Sequence, residues 1–485
     1  MLFWFNTQTI LVRMKRKALE KTHHSAPALF VIYLVAIVGA ATSLPSLRDS
    51  THELQRVGAA WLWDSAILYV QAWSHSSPQT LFFAGLYDRI ASSSFLAILI
   101  EIVVMTCAAA LAFQIVSRLL KNRIRDQQAV LLLAAATTLI PGVWQPGITT
   151  GKLGLLFGLV AYAGYLLWCA SGPSQSIFGP TKRNWRWLLF AGVGVALLLH
   201  TSLFFAIFTL PLLADIMYRH VRMAGLVMIP PVLLSVVWLS VVIPHGIVHH
   251  AWQAYVLDLQ FFTHESGFFS YAWPLLLPTA LVAAMALVQA EGSYFRRNLL
   301  AWLLALVIVL SVFFAPAGIL QSITLCVILC AFLYTPRTRQ IVGARYMIVA
   351  AGLVLLTSVP ARLMLESKLK QDRAEANAAA VYVEQRLITS RDVYYYGAAA
   401  GFYDLYHFHN PTRFFDATIF SYDTPSYGLV DAFRGDMEAK PPRYIVVATG
   451  ERTRIKRPNM RLEEYFTKHY ALAAELPGYK ILKRK

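Results

Sequence analysis

Of 485 residues, 57% are hydrophobic and only 14% charged, and the mean hydropathy is +0.52, more apolar side chain than a water-soluble fold of this length can bury. The composition excludes an ordinary soluble globular protein and predicts a polytopic α-helical membrane protein. The formal net charge is +17, but Lys and Arg fall in short clusters between apolar runs, which suits the orientation of membrane spans and not nucleic-acid binding, for which no motif is present.

In chain order, a basic leader, MLFWFNTQTILVRMKRKALEKTHHS, precedes a first apolar run at about 27–44 that reads as an uncleaved span, which places the N-terminus in the cytoplasm. Further runs near 92–117, 128–146, 153–170, 186–200, 202–218, 223–243, 271–290, 298–315, 318–335 and 346–363 bring the total to about eleven spans. Basic loops at 117–125, 181–186, 218–222, 295–297 and 336–345 alternate as a cytoplasmic set does. The other, extracytoplasmic side then receives the first loop (46–90), the turn PGVWQPGITTGK, the turn at His200, the loop 245–269 and everything after Arg362. Cys107, Cys169, Cys326 and Cys330 lie within or beside apolar segments and read as small packing residues, not as a disulfide framework or zinc site.

Residues 1–364 thus form a membrane domain, and 365–485 a small extracytoplasmic α/β domain in which charge rises and long apolar runs stop. SKLKQDRAEANAAAVYVEQRL has a helical period, while DVYYYG, TRFFD and YIVVAT read as strands. Asn410-Pro411 and Pro441-Pro442 mark breaks, and AAELPGYKILKRK reads as a terminal hairpin.

There is no P-loop, dinucleotide fingerprint, HExxH or GxSxG, so any chemistry rests on scattered side chains. Charge concentrates in the first loop. A helix from Ser50 to Trp63 stacks Asp49, His52, Glu53 and Arg56 on one face and Leu54, Val57 and Trp61 on the other, the pattern of an amphipathic helix on a membrane surface. Asp49 and Glu53 are the acids nearest that surface; a carboxylate there takes a proton from an attacking hydroxyl, holds a divalent cation, or merely faces water. Asp64, Asp88, Asp258 and Glu265 share the same side. Glu101 lies inside the second span, where a central charge costs on the order of 3 kcal/mol, so it either lines a substrate cavity or is paired and joins helices. Lys152, Arg56, His249 and His250 are outer-face groups suited to an anionic lipid phosphate, and His200, at a helix end, fits either a phosphate contact or a capping role.

The stretch RVGAAWLWDSAILYVQAWSHSSPQTLFFAGL, following an Asp just after the first span, resembles the GT-C superfamily of integral-membrane glycosyltransferases. It is similar to the dolichyl-phosphate-mannose protein mannosyltransferases and the lipid A aminoarabinose transferases in carrying an Asp, a helix, a small-residue turn, Tyr, Trp, a basic residue and Pro. Those positions are Asp49, Tyr69, Trp73, His75 and Pro78, and NPTRFFD, KPPRYIVV and the closing YKILKR resemble the family's C-terminal domain. The resemblance implies a bacterial inner-membrane enzyme that moves a sugar from a polyprenyl-phosphate donor to a glycan, lipid or protein acceptor with inversion. In that reading Asp49 acts as base, with the donor phosphate near Lys152, His249 or Arg56. The chain departs from the family in following Asp49 by Ser50, with Glu53 the next acid, and in having Ser77-Pro78 for two prolines. No cofactor follows from these residues, and a divalent metal held by Asp49 with Glu53 stays open. The alternative class is a transporter or flippase of envelope lipid with Glu101 as coupling residue; it leaves the C-terminal domain unexplained, and related halves are not visible in the sequence.

Overall fold

The computed structural model describes residues 52–64, 66–74, 76–91, 94–119, 147–148, 150–170, 174–176, 179–181, 185–264, 374–386, 392–397, 408–415, 417–423, 427–449 and 459–485, with single positions such as Tyr403 between them. The first predicted span, Asp49, His75, the spans at 128–146, 271–290, 298–315 and 318–335, most of 346–363, and Glu265, Cys326 and Cys330 lie outside the described residues, as do the side chains of Glu53 and Asp258.

The first loop is built from two short helices, α1 (His52–Trp63) and α2 (Pro78–Ile90). Ser77 caps α2, its Oγ accepting the Thr80 N–H at 3.2 Å, and Pro78 fills the first turn, where a missing N–H costs nothing. The two helices cross backbone to backbone at Gly58 and Gly85: a Cβ on Gly58 would stand 2.2 Å from the Leu81 carbonyl oxygen and 2.7 Å from the Gly85 nitrogen. Neither neighbour is a side chain that can swing aside. Gly58→Val should therefore lower the melting midpoint of the detergent-extracted protein, by an overpacking cost of roughly 1–3 kcal/mol. Gly225→Ala, at a glycine with open space around it, should leave the midpoint unchanged or raise it.

The membrane helices coincide with predicted runs. α3 (Ser94–Leu119), α4 (Thr150–Ala170) and α5 (Trp185–Thr201) cover the runs at 92–117, 153–170 and 186–200, and a short hairpin of β1 (Ser174–Ser176) and β2 (Gly179–Thr181) lies between α4 and α5. α4 and α5 pack antiparallel through small residues: Gly164 meets the backbone of Ala191, and Gly194 that of Ala161. Close backbone approach of this kind is how helices associate where lipid removes the hydrophobic driving force.

α6 (Leu203–Val242) spans both runs at 202–218 and 223–243, and the basic 218–222 between them is helical, not an extended loop. A straight helix would carry Ser235 about 48 Å from Leu203 at 1.5 Å per residue. Yet Ser235 Oγ lies 3.0 Å from the Nε2 of His200, just upstream of Leu203, so the helical stretch doubles back on itself. Asp215 meets Tyr165 of α4, and Val227 packs on Gly192 of α5, which places the reversal between Asp215 and Val227, around the basic YRHVR. Two limbs survive, then, with the basic YRHVR where one turns into the other. Among the described residues, Thr150–Cys169 and Val221–Val242 are long and apolar enough to cross a bilayer.

The predicted loop 245–269 is also corrected: most of it is α7 (Val248–His264), entered through a turn with Gly246 at φ 66°. Ala251, Ala254 and Leu257 form its buried face.

The C-terminal residues form a four-stranded sheet in the order β3-β4-β6-β5, where β3 is Val393–Tyr396, β4 Tyr444–Ala448, β5 Tyr470–Leu476 and β6 Tyr479–Arg484. β3 and β4 are parallel and the other pairs antiparallel, with Gly478 at φ 75° turning the expected terminal hairpin. Alternate residues feed two cores. Tyr394, Tyr396 and Ile445 pack with α9 (Leu429–Ala439) and α10 (Met460–His469) through Phe433, Met437 and Phe466. Val393, Tyr395, Val446 and Ile481 pack with α8 (374–384) through Ala379, Ala380 and Val383. TRFFD is not a strand. Asn410 and Thr412 capture the backbone there, Asn410 Nδ2 donating to the Phe414 carbonyl at 2.7 Å and the Phe414 N–H to Thr412 Oγ1 at 3.2 Å, which turns the chain out of the sheet.

Candidate functional site

The inner face of the first loop is packed against the rest of the chain, while Trp63, Ile67, Phe82 and Ile90 stay exposed. That face is enclosed in one core that unites Val57 of α1, Leu68, Tyr69, Ala72 and Trp73 of the loop, Val242 and Ile247 at the end of α6, the buried face of α7, and Phe414, Ile419, Phe420 and Phe433 beside the sheet. Tyr69 organises the turn. Its N–H donates to the Ala72 carbonyl and its hydroxyl to the Ser76 carbonyl, both at 2.8 Å, and these bonds hold it fully buried at φ 64°, a left-handed conformation that costs a non-glycine residue about 1 kcal/mol or more.

Arg56 also departs from expectation. Its guanidinium lies 5.9 Å from the ring centre of Phe415, so this part of the predicted wet face is covered by the C-terminal unit. Burial pulls its pKa below the ordinary arginine value, and the fields of Asp88 and Tyr403 act in the opposite direction. The Tyr403 hydroxyl is itself fully enclosed, accepts the Tyr395 N–H at 2.8 Å, and is pushed well above the ordinary tyrosine value by desolvation.

A second group of polar side chains, absent from the sequence reading, surrounds the last turn of α5. The final carbonyls of a helix have no partners of their own. Here Thr80 Oγ1 donates to the Thr201 carbonyl at 3.4 Å and the Tyr255 hydroxyl to that of His200 at 3.2 Å, while Gln79 Nε2 donates at 2.8 Å to the Leu197 carbonyl, which also accepts from Thr201 Oγ1. The buried Gln79, Thr80, Thr201 and Ser202 thereby join the start of α2 to the end of α5. Only a buried Gln and Thr at the head of a short helix, QT after Ser-Pro, hinted at this in the sequence. His200 sits in the same region through its contact with Ser235, and His249 and His250 gather around the buried Gln253, with ring nitrogens 2.9 and 3.4 Å from its amide.

Glu101 and Lys152 form a third, separate group. Lys152 Nζ donates to both carboxylate oxygens of Glu101, at 2.7 and 2.9 Å, and to the Gly147 carbonyl at 2.7 Å, while the Gly147 N–H donates to Glu101 at 2.9 Å. Both side chains are almost completely buried, and Glu101 is paired across α3 and α4. Arg56 and Tyr69 each pack against the C-terminal residues, the histidines lie around α5 and α7, and the Glu101–Lys152 pair stands between α3 and α4. Asp49, Glu53 and His75 complete the sequence-derived set but have no described side chain. Among the described residues, no three His, Cys, Asp or Glu side chains converge to hold a metal ion.

No protein-family profile matches the chain, and no curated protein matches it in sequence. In structure it is similar to ArnT from Cupriavidus metallidurans bound to undecaprenyl phosphate, with a TM-score of 0.50 and 14% identity over 95% of this chain and 97% of that one. The apo form of the same protein gives a TM-score of 0.48 and 13% identity over 96% and 98%. At this identity the likeness is one of fold: the chain is a polytopic helical membrane protein. The resemblance to the lipid A aminoarabinose transferases carried by the first loop and the tail is met by ArnT-like architecture over nearly the whole chain.

Proposed function

We propose that the protein is a glycosyltransferase that takes a sugar from a polyprenyl-phosphate donor and passes it, with inversion, to an envelope glycan, lipid or protein acceptor. The observation that carries this reading is the chain-long likeness in fold to a protein whose crystal structure holds undecaprenyl phosphate, in a chain whose first loop independently carries Asp49, Tyr69, Trp73, His75 and Pro78 in the GT-C arrangement. In the reaction an acceptor hydroxyl oxygen attacks the anomeric carbon, the bond from that carbon to the lipid phosphate breaks, and polyprenyl phosphate departs with the bonding electrons. Asp49 takes the hydroxyl proton. Cations near the leaving phosphate stabilise the charge developing there. Lys152 spends its donors on Glu101 and Gly147, so the half-buried Arg56, with the exposed His249 and half-buried His250, are the better-placed groups for that role. Residues 365–485 face the extracytoplasmic side together with the first loop, the N-terminus is cytoplasmic, and the membrane is the bacterial inner membrane.

The test is direct. Purified protein incubated with a labelled polyprenyl-phosphate sugar and an envelope extract should place label in an acceptor and release polyprenyl phosphate in equal amount; a chelator arm decides whether a divalent cation takes part. Movement of intact lipid-linked sugar across a proteoliposome, with no bond cleavage, would overturn the reading in favour of a flippase.

A further inference from the structure

The segment NPTRFFD stands out in the sequence, and neither the sheet nor the proposed chemistry uses it. We infer that its Arg413–Phe415 portion is a wedge that sets the position of the first loop and α1 for transfer, with Trp73 and Asp436 as positioning residues. The inference rests on the proposed function and adds to it the source of the loop's geometry.

Phe414 and Phe415 are neighbours in the chain, and they contact two different elements. The Trp73 N–H donates to the Arg413 carbonyl at 3.1 Å, Trp73 and Phe414 pair as an isolated β-bridge, and their rings lie 5.7 Å apart. Phe415 instead lies beneath the guanidinium of Arg56 on α1. One turn of the C-terminal unit therefore holds both the segment between α1 and α2 and the helix that follows Asp49.

The wedge is itself held stiff. Asn410 and Thr412 fasten the turn, and Asp436 of α9 accepts the Arg413 backbone N–H at 3.0 Å, its Nε at 3.0 Å and its Nη2 at 2.7 Å. This paired carboxylate is mostly buried, and three charge-assisted donors converge on it. The order of support runs from α9 through Asp436 and the Arg413 backbone to Trp73, and on to the turn whose far end, Ser77, starts α2. The Gly58–Gly85 crossing fixes α1 against α2, so the loop is held from two directions and has little freedom to shift independently.

A displacement of about 1 Å at reacting groups costs on the order of 100-fold in rate, whereas binding of a long lipid chain along helices depends little on such a shift. Trp73→Ala and Asp436→Ala should therefore lower kcat by roughly 10-fold or more with the donor KM within about twofold, and Trp73→Phe should retain most of the wild-type kcat. Asp436→Ala tests the idea most cleanly, because its effect must travel through Arg413. Amide hydrogen exchange over residues 66–77 should rise in both alanine variants and stay near wild type in Trp73→Phe. Faster exchange with an unchanged kcat would overturn the positioning role. Unchanged exchange would overturn the wedge itself, and that arm needs no substrate. Failure of the wild-type protein to transfer sugar would instead count against the function proposed above.

Discussion

Asp49→Asn is expected to lower sugar transfer by roughly two to four orders of magnitude, the usual contribution of a general base, while donor binding stays close to wild type. Asp49 follows Arg48 at the end of the first predicted span, just before α1. Asparagine keeps the size and a hydrogen-bond acceptor but accepts no proton. The loss should thus fall on kcat, with the lipid contacts of the donor intact. Glu53→Gln should reduce transfer less, unless the two acids share a divalent cation, in which case both variants should lose activity and wild-type transfer should be sensitive to chelator. The measurement is single-turnover transfer by purified protein, with donor binding followed separately. Near-normal turnover by Asp49→Asn would overturn the base assignment, and transfer persisting with both acids neutralised would place the chemistry elsewhere.

Lys152→Met should have its largest effect on folding. It takes the ammonium away from the buried Glu101 carboxylate, and removing one partner of a buried ion pair costs about 3–5 kcal/mol. The expected result is a sharp fall in monodisperse, detergent-extracted protein and in its melting midpoint. Glu101→Gln should fall in the same direction by a smaller amount, because a neutral amide still accepts from Lys152. The double variant Glu101→Gln, Lys152→Met removes both charges and should recover much of what Lys152→Met loses. Activity per folded molecule separates the remaining possibility. A Lys152→Met protein that folds normally and fails to transfer would put the ammonium on substrate phosphate and not on Glu101.

Much of the architecture is legible in the chain itself. Apolar runs of bilayer length separated by basic clusters determine α3, α4, α5 and the two limbs of α6, because a span must be apolar over its length and the charges that cannot enter lipid collect at its ends. Short runs of β-branched and aromatic residues determined β3 and β4, and Pro477-Gly478 between two short strands determined the terminal hairpin, since few residues accept the conformation that Gly478 adopts. α7 was missed for a related reason. Its buried face is built from the small side chains of Ala251 and Ala254 with Leu257, too weak a stripe, in too short a segment among histidines, to stand out from a loop.

What only the tertiary structure decided is pairing between distant positions. A lone Glu in a span announces a cost but not its remedy; that Lys152 answers Glu101, fifty-one residues away, depends on how α3 and α4 lie together. The charged face of α1 has the period of a wet surface helix, and Arg56 is nevertheless covered, because Phe415 arrives from the far end of the chain. TRFFD reads as a short strand but turns, since the side chains of Asn410 and Thr412 compete successfully for the backbone groups a strand would use. Local pattern sets which faces need burial and which charges need partners. The identity of the covering residue is a property of the folded chain, since hydrogen bonds and ring contacts between remote segments leave no periodicity in the sequence of either one.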